Sequence, residues 1–207
     1  MSIIAMPATL VIGDFSIGQR RFDMTEMSGE TGNTKARLKG PPRWQLSMAA
    51  PSNGLQLANA SIWEALLLQL RGGVNHMSAW DIARPLPRGS CRGTMTLNGA
   101  HSAGAVSLSI SVTGQTGLTL LMGDWLQVGT GLTGQLFKVM ADATAGASTI
   151  VVTVEPPMRI GMSDATAVNY TNALCHYKMV SPTAQWSVNP GFNTIRGFAA
   201  DFIEQWA

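Results

Sequence analysis

Residues 129–134, GTGLTG, have the G-x-G-x-x-G spacing of a dinucleotide-binding turn, and Glu155 lies about twenty residues further on. That chemistry needs a helix straight after the glycines, so that its first amides meet the pyrophosphate. Here QLFKV follows and has the residues of a strand, so the glycines read as a hairpin turn between DWLQV and LFKVM. A zinc-type site needs converging thiols, imidazoles or carboxylates. His76, His101 and His176 are scattered, and Cys175 and His176, being adjacent, point to opposite sides of a strand. Cys91 and Cys175 lie near two crossings between structural units, where they are free to approach each other. Their plainer reading is as two small buried apolar side chains. Neither G-x-S-x-G nor a catalytic-cysteine signature is present. A glycoside-cleaving pair of carboxylates needs only proximity in space, but the chain has just 12 acids, several on turns. The expectation is no enzyme, with no catalytic, cofactor-binding or metal-binding residue assigned.

Four residues stand out for contacts rather than catalysis. Arg84, Arg88 and Arg92 are spaced by four, and Pro85 and Pro87 forbid a helix there. In an extended chain the three can share a side. Two readings stand together: a solvated linker, or a salt-bridge site between subunits or domains. Trp125 opens a strand after Gly123-Asp124. It reads as core, or as a sugar-stacking platform if it sits on a barrel rim.

The elements that position these residues are mostly strands. RWQLSMA alternates, with Trp44, Leu46 and Met48 on one side. Residues 29–34 read as a mobile loop rich in Gly, Thr and Asn. One helix is expected over about 60–71. Ser61 and Glu64 would form its capping box, Ile62, Leu66 and Leu70 lie on its apolar stripe, and Gly72-Gly73 would make a left-handed stop. From Thr94 onward, short β-type runs recur between Gly, Asn, Asp and Pro, which is the pattern of a small barrel or sandwich. In STIVVTV, Ile150, Val152 and Val154 point one way. The expected fold is mainly β with one clear helix. Residues 1–90 and 180–207 form a helix-bearing β-domain, and residues 91–179 form a small barrel inserted into it.

Charged residues are only 13% of the chain, against a usual share of about 25%. A surface so poor in charge points to assembly. The net charge of +2, with no basic run, argues against dominant nucleic-acid binding. Two cysteines make no disulfide framework in 207 residues. The first residues lack the basic start and cleavage site of a signal peptide, and IWEALLLQL is too short to span a bilayer.

The phrases WEALLLQLRGGVNHMSAWDIARPLPRG, MTLNG, LLMGDWLQVG, GQLFKVMADATAGASTIVVTVEPPMR and FAADFIEQW, in that order, resemble distal tail proteins of long-tailed bacteriophages infecting Gram-negative hosts. The likeness spans roughly residues 60–207 and lies in order and phrasing, not in catalytic motifs. It implies a tail-tube-like β-sandwich or split barrel flanked by a helix, with an inserted barrel of the oligonucleotide/oligosaccharide-binding (OB) type. It also implies a virion structural protein: a homo-hexameric ring joining the tail tube protein to tail-tip hub or fibre proteins. Genome DNA would pass through its channel without specific binding, and the ring would assemble in the host bacterial cytoplasm. No cofactor and no membrane span are implied. The alternative reading is a saccharide-binding module of a phage tail, or another minor tail or connector protein.

Overall fold

The structure is a computed structural model describing every residue except Glu30, Phe192 and Ala207; the side chain of Leu38 is also left aside. The chain opens with β1 (Ile3–Ala5), β2 (Asp14–Arg20), β3 (Asp23–Met27), β4 (Thr34–Leu38) and β5 (Arg43–Ala49). A short β6 (Leu55–Gln56) runs straight into helix α1 (Leu57–Leu70), and β7 (His76–Ala79) follows. Next come β8 (Met95–Leu97), β9 (Ser107–Ser111), β10 (Thr119–Leu120) and β11 (Trp125–Val128). They are continued by β12 (Gln135–Val139), β13 (Ala143–Thr144), β14 (Thr149–Glu155) and β15 (Ala167–Asn169). The chain closes with β16 (Cys175–Met179), β17 (Ser187–Asn189), β18 (Thr194–Arg196) and β19 (Ala199–Glu204).

The protein is mainly β, with a six-stranded sheet in the order β1-β7-β16-β19-β5-β2 and a closed barrel in the order β11-β12-β14-β9-β8-β15. Period-two patterning builds both. On the sheet, Trp44, Leu46 and Met48 of β5 face inward beside Phe202 of β19 and Tyr177 of β16. Helix α1 lays Ala60, Trp63, Leu66, Leu67 and Leu70 on this core, the i, i+3, i+4, i+7 spacing of one helical side. Trp63 stacks on Phe198 at 5.9 Å, Phe198 stacks on Trp186 at 5.7 Å, and the Trp63 indole N–H donates to the Val11 carbonyl. The barrel has its own core of Leu108, Ile110, Phe137 and the inward row of β14, Ile150, Val152 and Val154.

Three local expectations are revised. Helix α1 starts at Leu57, and Gln56 at its N-cap makes no side-chain cap bond. Ser61 is already one turn inside, and its hydroxyl donates back to the Leu57 carbonyl at 2.9 Å instead of capping. The left-handed turn at the other end begins at Arg71 (φ 47°) and continues through Gly72 and Gly73. The limit at residue 179 also moves. β16 pairs with β7 and β19 and belongs to the sheet, because Cys175, Tyr177 and Met179 alternate into the sheet core. The chain therefore leaves the barrel between β15 and β16, where Asn172 takes a positive φ and its N–H donates to the Pro85 carbonyl. That bond ties the exit from the barrel to the way in. Of the segment 29–34, Thr34 is already the first residue of β4 and the rest lies between β3 and β4. Ser28 and Asn33 are hydrogen-bonded across it, and Glu30 falls outside the described residues.

Gly89 shows how closely the way in is packed. A Cβ there would lie 2.3 Å from the Thr119 carbonyl oxygen and 2.7 Å from the Leu120 Cα, both backbone atoms that cannot turn aside. Gly89→Ala is expected to cost about 1–3 kcal/mol by overpacking. At about 2–4 °C per kcal/mol for a chain of this size, calorimetry would register a clear drop in Tm, and an unchanged Tm would contradict this packing.

Candidate functional site at the junction of sheet and barrel

The chemically richest place in the molecule is where the barrel meets one end of the sheet. Strand alternation sets it up. β19 sends Ala200, Phe202 and then Glu204 into the core row, so a carboxylate arrives 1% exposed in an apolar place. A buried charge needs a partner. The barrel supplies Arg159, from the turn after β14, as an ion pair whose side chains are 6% and 2% exposed. The other Glu204 oxygen accepts the Trp44 backbone N–H at 2.9 Å. Arg159 also donates to the Gly134 carbonyl, and its backbone N–H donates to the Gln135 side chain. Trp206 is flanked by the guanidinium groups of Arg43 and Arg159, each 4.2 Å from the ring centroid.

Beside this lies an indole pair. Trp44 of the sheet meets Trp125 of the barrel edge to face at 4.8 Å, and the Trp44 indole N–H donates to the Leu136 carbonyl of the barrel. The Trp125 indole N–H donates back to Asp81, just after β7, at 3.0 Å. Asp81 also accepts from Arg84 Nε at 2.7 Å and from the Ala83 N–H. Lys138 lies 4.5 Å over the Trp125 ring and Arg84 5.8 Å from it. Burial, then the nearby Arg84, pulls the Lys138 pKa down.

The sequence-named residues separate here. Trp125 is 4% exposed and held within the junction, so the barrel-rim role does not apply to it. Arg84 pairs within its own loop with Asp81, three residues earlier, and lies 5.8 Å from the Trp125 ring of the barrel. Arg92 folds onto its own loop and donates to the carbonyls of Pro87, Gly89 and Cys91. Arg88 uses only its backbone N–H, which donates to Asp124, while its residue is exposed. Asp124 also accepts from Gly89 and Leu121, so one buried carboxylate fixes the loop. Asp81, Asp124, Arg159, Glu204 and Trp44 were not singled out by sequence. The available signal was Glu204 in an inward row.

The remaining reactive groups are not gathered into a site. Cys91 is in the barrel core and Cys175 in the sheet core, so the structure does not bring them together. Burial pushes both thiols up in pKa, Cys175 also through Glu204, which leaves them protonated and weakly nucleophilic. Among the described residues, no group of three or more His, Cys, Asp or Glu is placed to hold a metal ion. Residues 129–134 turn between β11 and β12 as a hairpin. His101 accepts the Ser109 N–H on Nε2, so its Nδ1 carries the proton shared with Gly99. His76 and His176 lie buried on the side of the sheet away from α1, on neighbouring strands, and among the described residues His76 Nδ1 has no hydrogen-bond partner.

This arrangement can fix one body to another. Glu204→Gln leaves Arg159 buried without its counter-charge and should lose about 3–5 kcal/mol in urea unfolding. The double variant Arg159→Met/Glu204→Leu should recover most of that loss, and equal losses in both would contradict the pairing. The histidines give a pH test. Burial lowers both pKa values below 6.5, His76 also through Lys178 and His176 also through His76. Below 6.5 the unfolded chain takes up protons that the folded chain refuses, so stability must fall as pH drops through that range. His176→Gln should flatten the fall, and an unchanged pH profile would contradict it. No family model matches the chain, and a search of curated proteins found no match.

Proposed function

We propose that the protein is a virion structural protein, a ring-shaped distal tail adaptor that joins a phage tail tube to the tip or receptor-binding apparatus. The observation that carries the reading is an arm that, among the described residues, pairs with no other strand. β3 and β4 form a two-stranded sheet of their own, and all five residues of β3 are exposed, Met27 by 74%. An isolated hairpin is marginal in water. The register puts Met24 and Glu26 with Arg37 and Lys35 on one face, and Asp23, Thr25 and Met27 with Ala36 and Thr34 on the other. The second face has the make-up of a surface that lies on a neighbour. The base is held by Arg21, which bonds Asp23 within the arm and Glu155 at the barrel at 2.9 and 3.1 Å.

A ring of identical subunits repeats one heterologous contact, and an arm reaching from each subunit to the next is such a contact. The low charge content and the ordered phrases that resemble distal tail proteins support the same reading. The saccharide alternative, in which the inserted barrel binds host sugar, would have to use a surface other than Trp125, which the junction holds. A gold-labelled antibody against the protein, applied to virions in electron micrographs, is expected to mark one band at the distal end of the tail tube. Labelling of capsids, or of no virion structure, would overturn the proposal. Removal of residues 23–38 should leave a folded chain that no longer assembles. Assembly that survives the removal would contradict the role of the arm.

A further inference from the structure

Helix α1 has an unusual outward face. Its fourteen residues include one charged side chain, Glu64. Large apolar side chains left exposed side by side on a helix mark a candidate contact surface. Here the inward side is covered by the sheet core, yet Leu57 is 58% and Leu68 62% exposed. Ala58, Asn59, Ser61, Ala65 and Gln69 are exposed with them. Glu64 makes no ion pair among the described residues, and the nearest charge along the chain is Arg71, just beyond the helix.

A matching surface lies elsewhere on the same chain. The loop at 82–88 exposes Ile82 by 41% and Leu86 by 52%, with Arg84 and Arg88 between and after them. It is a rigid loop despite its exposure. Asp81 and Asp124 accept its backbone N–H groups, Asn172 donates to the Pro85 carbonyl and Arg92 donates to the Pro87 carbonyl. Such preorganisation removes the ordering cost that normally weakens a loop as a binding surface. Lys138 adds a third cation beside Arg84. Of the acids on this side, Asp81 is taken by Arg84 and Trp125, and Asp124 by the loop backbone.

We propose that the outward face of α1 in one copy docks on the loop at 82–88 of a second copy, with Leu68 and Leu57 against Leu86 and Ile82, and Glu64 between Arg84 and Arg88. The two surfaces are complementary in charge and in apolar content, and they are different patches, so the contact is heterologous and repeats around a ring. This rests on the self-assembly reading and names a contact that the arm does not make.

The test uses the full chain, with its own second copy as the binding partner, in sedimentation velocity over a concentration series. Leu68→Glu and Leu86→Glu change side chains that are exposed in the single subunit, so folding, followed by circular dichroism, should be retained. Each is expected to weaken self-association by about tenfold or more, the effect of truncating a central contact residue. Glu64→Arg and Arg88→Glu should each weaken it, and their combination should restore it. Unchanged association in both leucine variants, or a double charge variant no better than the singles, overturns this contact while leaving the ring reading standing. A wild-type chain that stays monomeric at all concentrations overturns both.

Discussion

The ion pair between Arg159 and Glu204 is the constraint around which the molecule is arranged. Each group alone would be intolerable where it sits, at 6% and 2% side-chain exposure. Together they require the turn after β14 of the barrel to meet the last strand of the sheet in one place. The flanking groups depend on that meeting. Trp206 lies between Arg159 and Arg43, Trp44 reaches the Leu136 carbonyl, and Trp125 reaches Asp81. Burying an ion pair is rarely a route to stability, since well-packed apolar residues of similar volume usually serve as well. What it supplies is direction, because charge and hydrogen-bond geometry accept one docking angle where a greasy contact accepts many.

That direction matters for a proposed adaptor. A ring repeats every angular error once per subunit, so a barrel that swung on its two crossings would present no defined tip surface. The crossings are stiffened to match. Pro85 and Pro87 limit the first, Asn172 ties the second to it, and Asp124 and Arg92 hold the loop's amides and carbonyls. Exposed apolar side chains remain on the arm at Met27, on the outward side of α1 at Leu57 and Leu68, and on the junction loop at Ile82 and Leu86.

Much of this was legible in the sequence where local patterning governs. The alternation of RWQLSMA and STIVVTV became β5 and β14 with the expected inward rows, and GTGLTG became a hairpin because no helix follows it. The helix was found but its start was not. The S-x-x-E pattern at Ser61 and Glu64 looked like a cap, whereas β6 feeds the backbone directly into α1 four residues earlier. The barrel limit at 179 was misplaced because short strands of sheet and barrel have the same composition; only pairing with β7 and β19 distinguishes β16. The junction was least legible. Arg159, Glu204, Asp81 and Trp44 are far apart in sequence and have no motif spacing; they meet only through tertiary structure. Arg84 and Trp125 make their contacts within the molecule, through Asp81 and through Trp44.

The claim that the junction makes sheet and barrel one rigid body is tested most directly by residual dipolar couplings of backbone amides in weakly aligned solution. Couplings from the strands of the sheet and from those of the barrel should fit a single alignment tensor with the orientation seen here. Two tensors differing in magnitude or direction, in the wild-type chain, would contradict it.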